Sequence, residues 1–385
     1  MLTPQELSAK LARFTGYLQA DPNNIPLLTD LGDLQQEAGL FDEALASYQR
    51  AAELAPRNPE LGSRIASVYL AQHRFADAAT AYQALAANGA ATPALQHNYG
   101  LALFYQGQYQ ASAVQFSAAA SAGLSSPANV RYLAHSYHHL GELDKAVQVA
   151  EQWKAAGDDA DGQAYLSLLY LDVGASDKAH ANAEAALAEK PDNVDAHAVR
   201  GSLALEKLDI ETAQASFDKV LAQRPDYGRA WLGKGLVQLY KQEIGAALES
   251  LQRAAEYMPE QAATLLTLGW VQLIAGQTDE AERSFRRAAA IDSDYADAHG
   301  GLATALVHQN RLDEARQELA AAEKLNPKDF GAGLAKSQML RLQGQAQQAE
   351  QLMNGILDQQ PHDGGPSLKD YLSTFIARHP ATPQR

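Results

Sequence analysis

Three histidines stand within five positions of one another: His135, His138 and His139. Imidazoles four residues apart share one face of a helix and can hold a metal together. No neighbouring segment offers a clear carboxylate or third ligand in register, so no metal is expected here. The same imidazoles would add positive charge below about pH 6. Around them stand Arg64, His97, Asn98 and Arg131, with Leu101 and Tyr105 between. A guanidinium takes a carboxylate in a bidentate grip. This set therefore suits the backbone and carboxylates of an extended peptide. A second set, Leu232, Leu236, Tyr240, Leu266, Trp270 and Ile274, is apolar. Tryptophan and tyrosine are favoured partner anchors, and apolar residues at solvent-facing positions mark a binding patch.

Little other chemistry is visible. There is no glycine-rich phosphate loop and no G-x-S-x-G elbow. Carboxylates fall mainly on turns and helix starts, where they complement the helix dipole. The absence of cysteine excludes disulfides, thiolate catalysis and cysteine-ligated metal centres. No catalytic residue, metal or cofactor is expected, and the chain reads as a non-enzyme.

A formal charge of −15 argues against nucleic acid and anionic membrane surfaces as partners. Glu6, Lys10 and Arg13 interrupt the first twenty residues, so no signal peptide is visible. No apolar run is long enough to span a bilayer. A cytoplasmic protein is expected; a periplasmic chain whose leader has been removed would read alike. Apolar residues make up 46% of the chain but aromatics only 7%, so the core leans on alanine and leucine, strong helix formers.

The elements that position these residues follow from a period. Ala44, Ala78, Ser112, Ala146, Ala179, Ala213, Ala247, Ala281, Ala315 and Ala349 recur every 34 residues, with one step of 33. Twelve residues before each stands another small residue: Gly32, Ala66, Gly100, Ala134, Ser167, Gly201, Gly235, Gly269, Ala303 and Ser337. Two antiparallel helices approach closely only where both lack bulk. Four residues after the alanine stand large side chains such as Tyr48, Tyr82, Phe116, Phe217, Leu251, Phe285 and Leu319, which fill the gaps beside the crossing. Pro56, Pro191, Pro225, Pro259, Pro327 and Pro361 end the second helix of a pair, since proline cannot continue it. Gly89, Gly123 and Gly157 stand at the junctions that lack proline. The 33-residue step falls near Asp158-Asp159-Ala160-Asp161-Gly162.

The stretches Ala230-Trp231-Leu232-Gly233-Lys234-Gly235 and Gly39-Leu40-Phe41-Asp42-Glu43-Ala44 resemble the tetratricopeptide repeat family. The resemblance covers roughly residues 25–361. It implies an all-α, right-handed α-solenoid of about ten helix–turn–helix repeats, with first helices lining a concave side. Repeat starts are expected near 25, 59, 93, 127, 160, 194, 228, 262, 296 and 330, within residues 25–363. With the small residue of the first helix counted as position 8, the family's inward positions are 2, 5, 6, 9, 12 and 13. These positions gather the polar and apolar sets described above. Trp231 falls at a core position. Arg200, Lys234 and Lys336 stand where the family is apolar, and their heads are expected to snorkel outward rather than pair. Thr29, Asp33, Arg64 and Ser67 depart from the Lys/Asn clamp by which some relatives hold acidic chaperone tails.

Residues 1–24 read as a half-repeat helix, capped by Thr3 with Glu6 and opened by Pro4. Gly364-Gly365-Pro366 precedes an apolar stripe of Leu368, Tyr371, Leu372, Phe375 and Ile376, read as a capping helix within 364–385. The expected function is a protein–protein interaction scaffold holding a partner peptide or helix in the concave groove. The alternative is an oligomeric adaptor or assembly factor of a secretion, pilus or envelope system; of the oligomeric states, a monomer is favoured.

Overall fold

The computed structural model describes residues 3–124, 126–156, 160–358 and 369. Its regular elements, among the described residues, are all α-helices. They are α1 (Pro4–Ala20), α2 (Ile25–Glu37), α3 (Phe41–Leu54), α4 (Pro59–Ala71), α5 (Phe75–Ala87), α6 (Pro93–Phe104), α7 (Tyr109–Ser121), α8 (Pro127–His139), α9 (Leu143–Ala156), α10 (Ala160–Asp172), α11 (Ser176–Glu189), α12 (Val194–Glu206), α13 (Ile210–Gln223), α14 (Gly228–Tyr240), α15 (Ile244–Tyr257), α16 (Ala262–Ile274), α17 (Thr278–Ile291), α18 (Ala296–His308), α19 (Leu312–Leu325), α20 (Phe330–Leu342) and α21 (Ala346–Leu357). The chain forms two compact units, residues 1–199 and 200–385. Within the first unit α2 to α11, and within the second α14 to α21, pack in pairs, each even-numbered helix with the odd-numbered helix that follows.

Local chemistry starts and stops these helices. Asn24, Asn58, Thr92 and Ser126 each accept a hydrogen bond from the first turn of α2, α4, α6 and α8, and a proline stands in that turn. Thr3 and Glu6 cap α1 reciprocally. Each turn from first to second helix contains one residue with positive φ: Gly39, His73, Gly107, Gly141, Gly174, Leu208, Gln242, Gly276, Asn310 and Gly344. That left-handed residue lets the next amide reach back to the helix, as Leu40 N does to Gln35 O at 2.8 Å. Glycine does this without strain, whereas Leu208 adopts φ 56° with a Cβ in the way.

The core repeats with the same period. All ten small residues that open the second helices, from Ala44 to Ala349, are completely buried. The rings four residues further on fill the space left by the glycines of the first helices. A Cβ on Gly32, Gly100 or Gly269 would lie 2.5, 2.8 or 2.6 Å from Tyr48, Phe116 or Phe285, respectively. Burying such a ring contributes about 2–3 kcal/mol of transfer free energy. In α9 and α11 the ring is replaced by Ala150 and Ala183, and α10 between them buries Ala164, Leu166, Leu168 and Leu169.

Two expectations change. Lys234 Nζ pairs with Asp218 at 2.8 Å and Lys336 Nζ with Glu323 at 2.7 Å. Second helices present carboxylates beside these lysines, so the heads pair instead of merely snorkelling. Trp231 is only half-buried and carries Arg253 and Lys234 over its ring at 5.0 and 5.7 Å. Its indole N–H donates to Pro225 O at 2.7 Å, so the ring clamps the entry to α14. The segment from Gly364 to Ile376 read as a capping helix, apart from Lys369, lies outside the described residues, as do Pro361, Gly157, Asp158 and Asp159.

Candidate functional site

On the first helices, position 9 of one repeat meets position 6 of the next above a side chain supplied from the second helix below. In residues 1–199 this gives a series of pairs. The first is Asp33 with Arg64, both at the Tyr48 hydroxyl. Arg64 also bonds Glu60 at 3.0 Å. Burial works against its charge, but Glu60 and Asp33 more than offset this and raise its pKa. Burial and then Asp33 push the Tyr48 hydroxyl upward. Arg64, half-buried, is thus held in place by two carboxylates. The next pair, Ser67 and Asn98, stands beside the Tyr82 hydroxyl, whose pKa burial pushes up to about 12.

The series then turns aromatic. Leu101 and Tyr132 sit over Phe116, with the Tyr132 and Phe116 rings stacked at 5.8 Å. His135 stacks on Tyr165 at 4.0 Å. Along the ends of the same helices, Tyr105 stacks on Phe75 at 4.8 Å and its hydroxyl meets that of Tyr132 at 2.7 Å. His139 stacks on Tyr109 at 4.2 Å, and Phe104 stands edge-on to Tyr132 and His139. Helix α6 brings Phe104 and Tyr105, α8 brings Tyr132, His135 and His139, and α10 brings Tyr165. Tyr105 remains 50% exposed. Arg131, one residue before Tyr132, is exposed, and no carboxylate among the described residues pairs with it. His97 is turned inward: its Nδ1 lies 3.0 Å from the buried Asn129 and its ring packs against Phe116.

The histidines do not form the acid-responsive basic surface that their spacing suggests. Burial, then Arg131 and the two neighbouring imidazoles, push His135 down to about 3. Burial and then His138 also lower His139. His138 does have a carboxylate partner, Asp172 of α10 at 2.9 Å, with the Tyr165 hydroxyl at its other nitrogen. That partner lies one repeat away, 34 residues on, which is why inspection of the local sequence misses it. No cluster of three or more metal-ligating groups occurs among the described residues.

The apolar set lies in residues 200–385 and behaves differently. Leu232 packs against the core around Leu251 and Leu265, and Leu266 and Trp270 pack against the core around Phe285 and Leu302. Leu236 and Tyr240 are half-buried, while Ile274 is 62% exposed. Trp270 stands edge-on to Phe285 at 5.3 Å and to Phe330 at 5.9 Å. Space for this comes from Gly301, where a Cβ would lie 2.5 Å from Phe285. Beyond it, α18 and α20 touch through their backbones: a Cβ on Gly331 would lie 2.6 Å from Gly300 C. Thr304 Oγ1 donates across this contact to Gly331 O at 3.0 Å.

The rings that dominate the first face were partly recoverable from sequence. Tyr132 and Tyr165 occupy position 6, as Asn98 does, and Phe104 occupies position 12. Phe75 and Tyr109 are different: they open second helices, 34 residues apart, and a register confined to first helices passes over them.

Comparison with protein families matches residues 29–95, 63–127, 97–161, 199–264 and 235–296 to one tetratricopeptide repeat profile and 272–338 to another. A comparison with curated protein sequences returns no match. Among solved structures, the chain is similar to that of the APC/C hetero-tetramer Cut9–Hcn1, at 16% identity and a TM-score of 0.53, covering 78% of this chain and 59% of that one. It is similar to the human IFIT1 dimer with m7Gppp-AAAA, at 17% identity and a TM-score of 0.53, covering 93% and 95%. Yeast Tom70 aligns over 97% of this chain and 91% of its own at 15% identity, with a TM-score of 0.39. For the first two, at these identities, the likeness is one of fold. No described helix is long and apolar enough to cross a membrane.

Proposed function

The chain belongs to the tetratricopeptide repeat family, and we propose that it is a protein-binding scaffold whose docking site is the aromatic face of α6, α8 and α10. Repeat proteins of this kind present rigid first helices to a partner segment. The observation that carries the reading is Tyr105, half-exposed and stacked on Phe75, beside the unpaired Arg131. In a chain of net charge −15, a guanidinium without a carboxylate partner, set over the half-buried Tyr132 ring whose hydroxyl meets the exposed Tyr105, favours a segment with apolar or proline side chains and one carboxylate. The rings give area at low entropic cost, and Arg131 fixes orientation. Arg64, held through its terminal nitrogens by Asp33 and Glu60, and His97, turned to Asn129, set the end of the face rather than grip the ligand. Trp270 and Leu266 act as packing residues.

The test is selection of peptides from a displayed library on the whole protein, followed by titration against Tyr105→Ala/Arg131→Ala. Both side chains are exposed, so the fold is expected to survive, which circular dichroism checks. Selected peptides should lose tenfold or more in affinity, about 1.4 kcal/mol or above. Equal binding to both proteins would remove the site from this face.

A further inference from the structure

We propose that the crevice between the end of α3, the start of α4 and the end of α5 binds a tryptophan side chain presented by a partner protein. None of its lining residues belongs to the aromatic face of α6, α8 and α10.

The crevice exists because large side chains are missing. In the α14–α15 pair the fourth residue of the first helix is Trp231, and the second helix ends in Tyr257 with Met258 as its C-cap. The same three places in the α4–α5 pair carry Gly62, Asn88 and Gly89. Met258 reaches across to α14: a Cβ on Gly228 would lie 2.5 Å from its Cγ. The α4–α5 pair has no side chain to do so. What remains is a cavity of about 560 Å³, within the range of small-ligand sites. Ala52, Ala55, Pro59 and Ala90 make its walls apolar. Leu85 leans toward α4 and forms the floor, 2.9 Å from where a Cβ on Gly62 would lie.

The missing ring also leaves a hydrogen bond unmade. Trp231 Nε1 donates to Pro225 O, six residues back, at 2.7 Å. His197 and His299, fourth in α12 and α18, repeat the contact: their Nε2 atoms lie 2.9 Å from Pro191 O and 3.2 Å from Ser293 O. A ring N–H that meets the carbonyl six residues back is thus a recurring device of this chain. In α4 the fourth residue is Gly62, and the matching carbonyl, Pro56 O, accepts no hydrogen bond among the described residues.

The remaining polar groups select the ligand. Asn58 Oδ1 accepts from Glu60 N and Asn88 Nδ2 donates to Ala84 O, so both amides serve their own helices. Arg57 is exposed at the rim, and the nearest carboxylates in sequence, Glu53 and Glu60, are held by Arg50 and Arg64. An indole complements this arrangement: its N–H meets Pro56 O, and its negative ring face meets the cation. Arg253 stands over Trp231 in the same way, at 5.0 Å. Phenylalanine would fill the volume and leave the carbonyl unmet. Pro56, Arg57, Asn58 and Gly89 are all exposed, so the rim admits a side chain carried on a backbone.

N-acetyltryptophanamide, which mimics a tryptophan within a chain, tests the site by titration into protein with labelled alanine methyl groups. The signals of Ala52, Ala55 and Ala90 should shift saturably. The analogue methylated at the indole nitrogen cannot donate and should bind about fivefold more weakly, the contribution of one hydrogen bond. Arg57→Ala, at an exposed position, should weaken the amide by about threefold. Gly62→Trp/Leu85→Ala recreates the combination of Trp231 with Ala254, and it should silence the response without lowering the melting temperature. Alanine signals that do not shift, or equal binding of the amide and its methylated analogue, would overturn the site whether or not the filled variant folds. Free tryptophan binding more tightly than the amide, or a dimer that the filled variant dissolves, would replace the partner by a metabolite or a second copy and overturn that assignment.

Discussion

Helices α8 and α18 occupy the same place in their repeats, and their faces are opposites. At position 5 one has Arg131 and the other Gly300; at position 6, Tyr132 and Gly301; at position 9, His135 and Thr304. The first helix holds its neighbours apart with rings and leaves a guanidinium in water. The second has almost no side chain there, so α20 closes onto its backbone and Gly300 through Val307 are buried. The scaffold is common to both, and a few side chains on one face decide whether that face is open to a partner or used for internal packing.

The sharpest way to break this comparison is to put the same methyl group, or take it away, at position 5. Gly300→Ala places a Cβ 1.8 Å from Asp329 Oδ1 and 2.7 Å from Ala332 N, which are a cap and a backbone atom. Neither has room to yield without moving α20. The expected loss is about 3 kcal/mol, the upper part of the overpacking range, read as a lowered urea midpoint. A change below about 0.5 kcal/mol would mean that the backbone contact between α18 and α20 is slack.

A second contrast lies in the response to acid. His135 is stacked on Tyr165 and held to about 3, so the folded protein keeps it neutral while an unfolded chain binds a proton at its ordinary 6.5. A depressed histidine contributes stability that is complete above 6.5 and is lost as pH falls toward 3. Residues 1–199 should therefore weaken on acidification by on the order of 1 kcal/mol per pH unit, while Asp329, raised chiefly by burial, contributes in the opposite direction. Thermal melts at pH 7 and 5 check this. His135→Phe, which keeps a ring on Tyr165, should flatten the acid-side loss.

What sequence alone reveals divides along the same line. The crossing residues, from Gly32 and Ala44 onward, are steric requirements of two helices, so they recur at fixed spacing and mark the pairs by themselves. The closure of α18 onto α20 was not legible, because it depends on glycine at three places, Gly300, Gly301 and Gly331, that a register treats as merely inward-facing. Trp270 reads as inward-facing in the register for the same reason: Gly301, at position 6 of the next repeat, leaves it room to pack on Phe285 and Phe330, whereas Ile274 of the same set stays 62% exposed. The turn residues were half-legible. Glycine marks six of the ten positive-φ sites, but His73, Leu208, Gln242 and Asn310 adopt the same geometry under tertiary constraint.

A smaller effect tests that constraint. Leu208→Gly relieves a left-handed leucine and should stabilise residues 200–385 by about 1 kcal/mol, offset in part by the greater freedom of glycine in the unfolded chain. The control is Gly276→Leu, at the same place two repeats later, which should cost a similar amount. Denaturant midpoints measure both. If neither moves, the turn is set by the helices it joins rather than by its own backbone preference.

The smallest expected change in stability belongs to Arg131, and it is the most informative about function. Arg131→Ala removes an exposed side chain without a carboxylate partner, so stability should move by less than about 0.5 kcal/mol. It also removes one positive neighbour of His135, a lesser cause of that group's depression after burial. The acid-side loss governed by His135 should then be slightly smaller and end at a slightly higher pH, because the histidine protonates a little more readily in the folded state. Melting curves at pH 7 that superimpose on those of the unaltered protein, together with weakened binding of selected peptides, would locate the role of Arg131 in recognition. A lowered melting temperature at neutral pH would instead make Arg131 a packing residue, and the difference between α8 and α18 would be one of bulk alone.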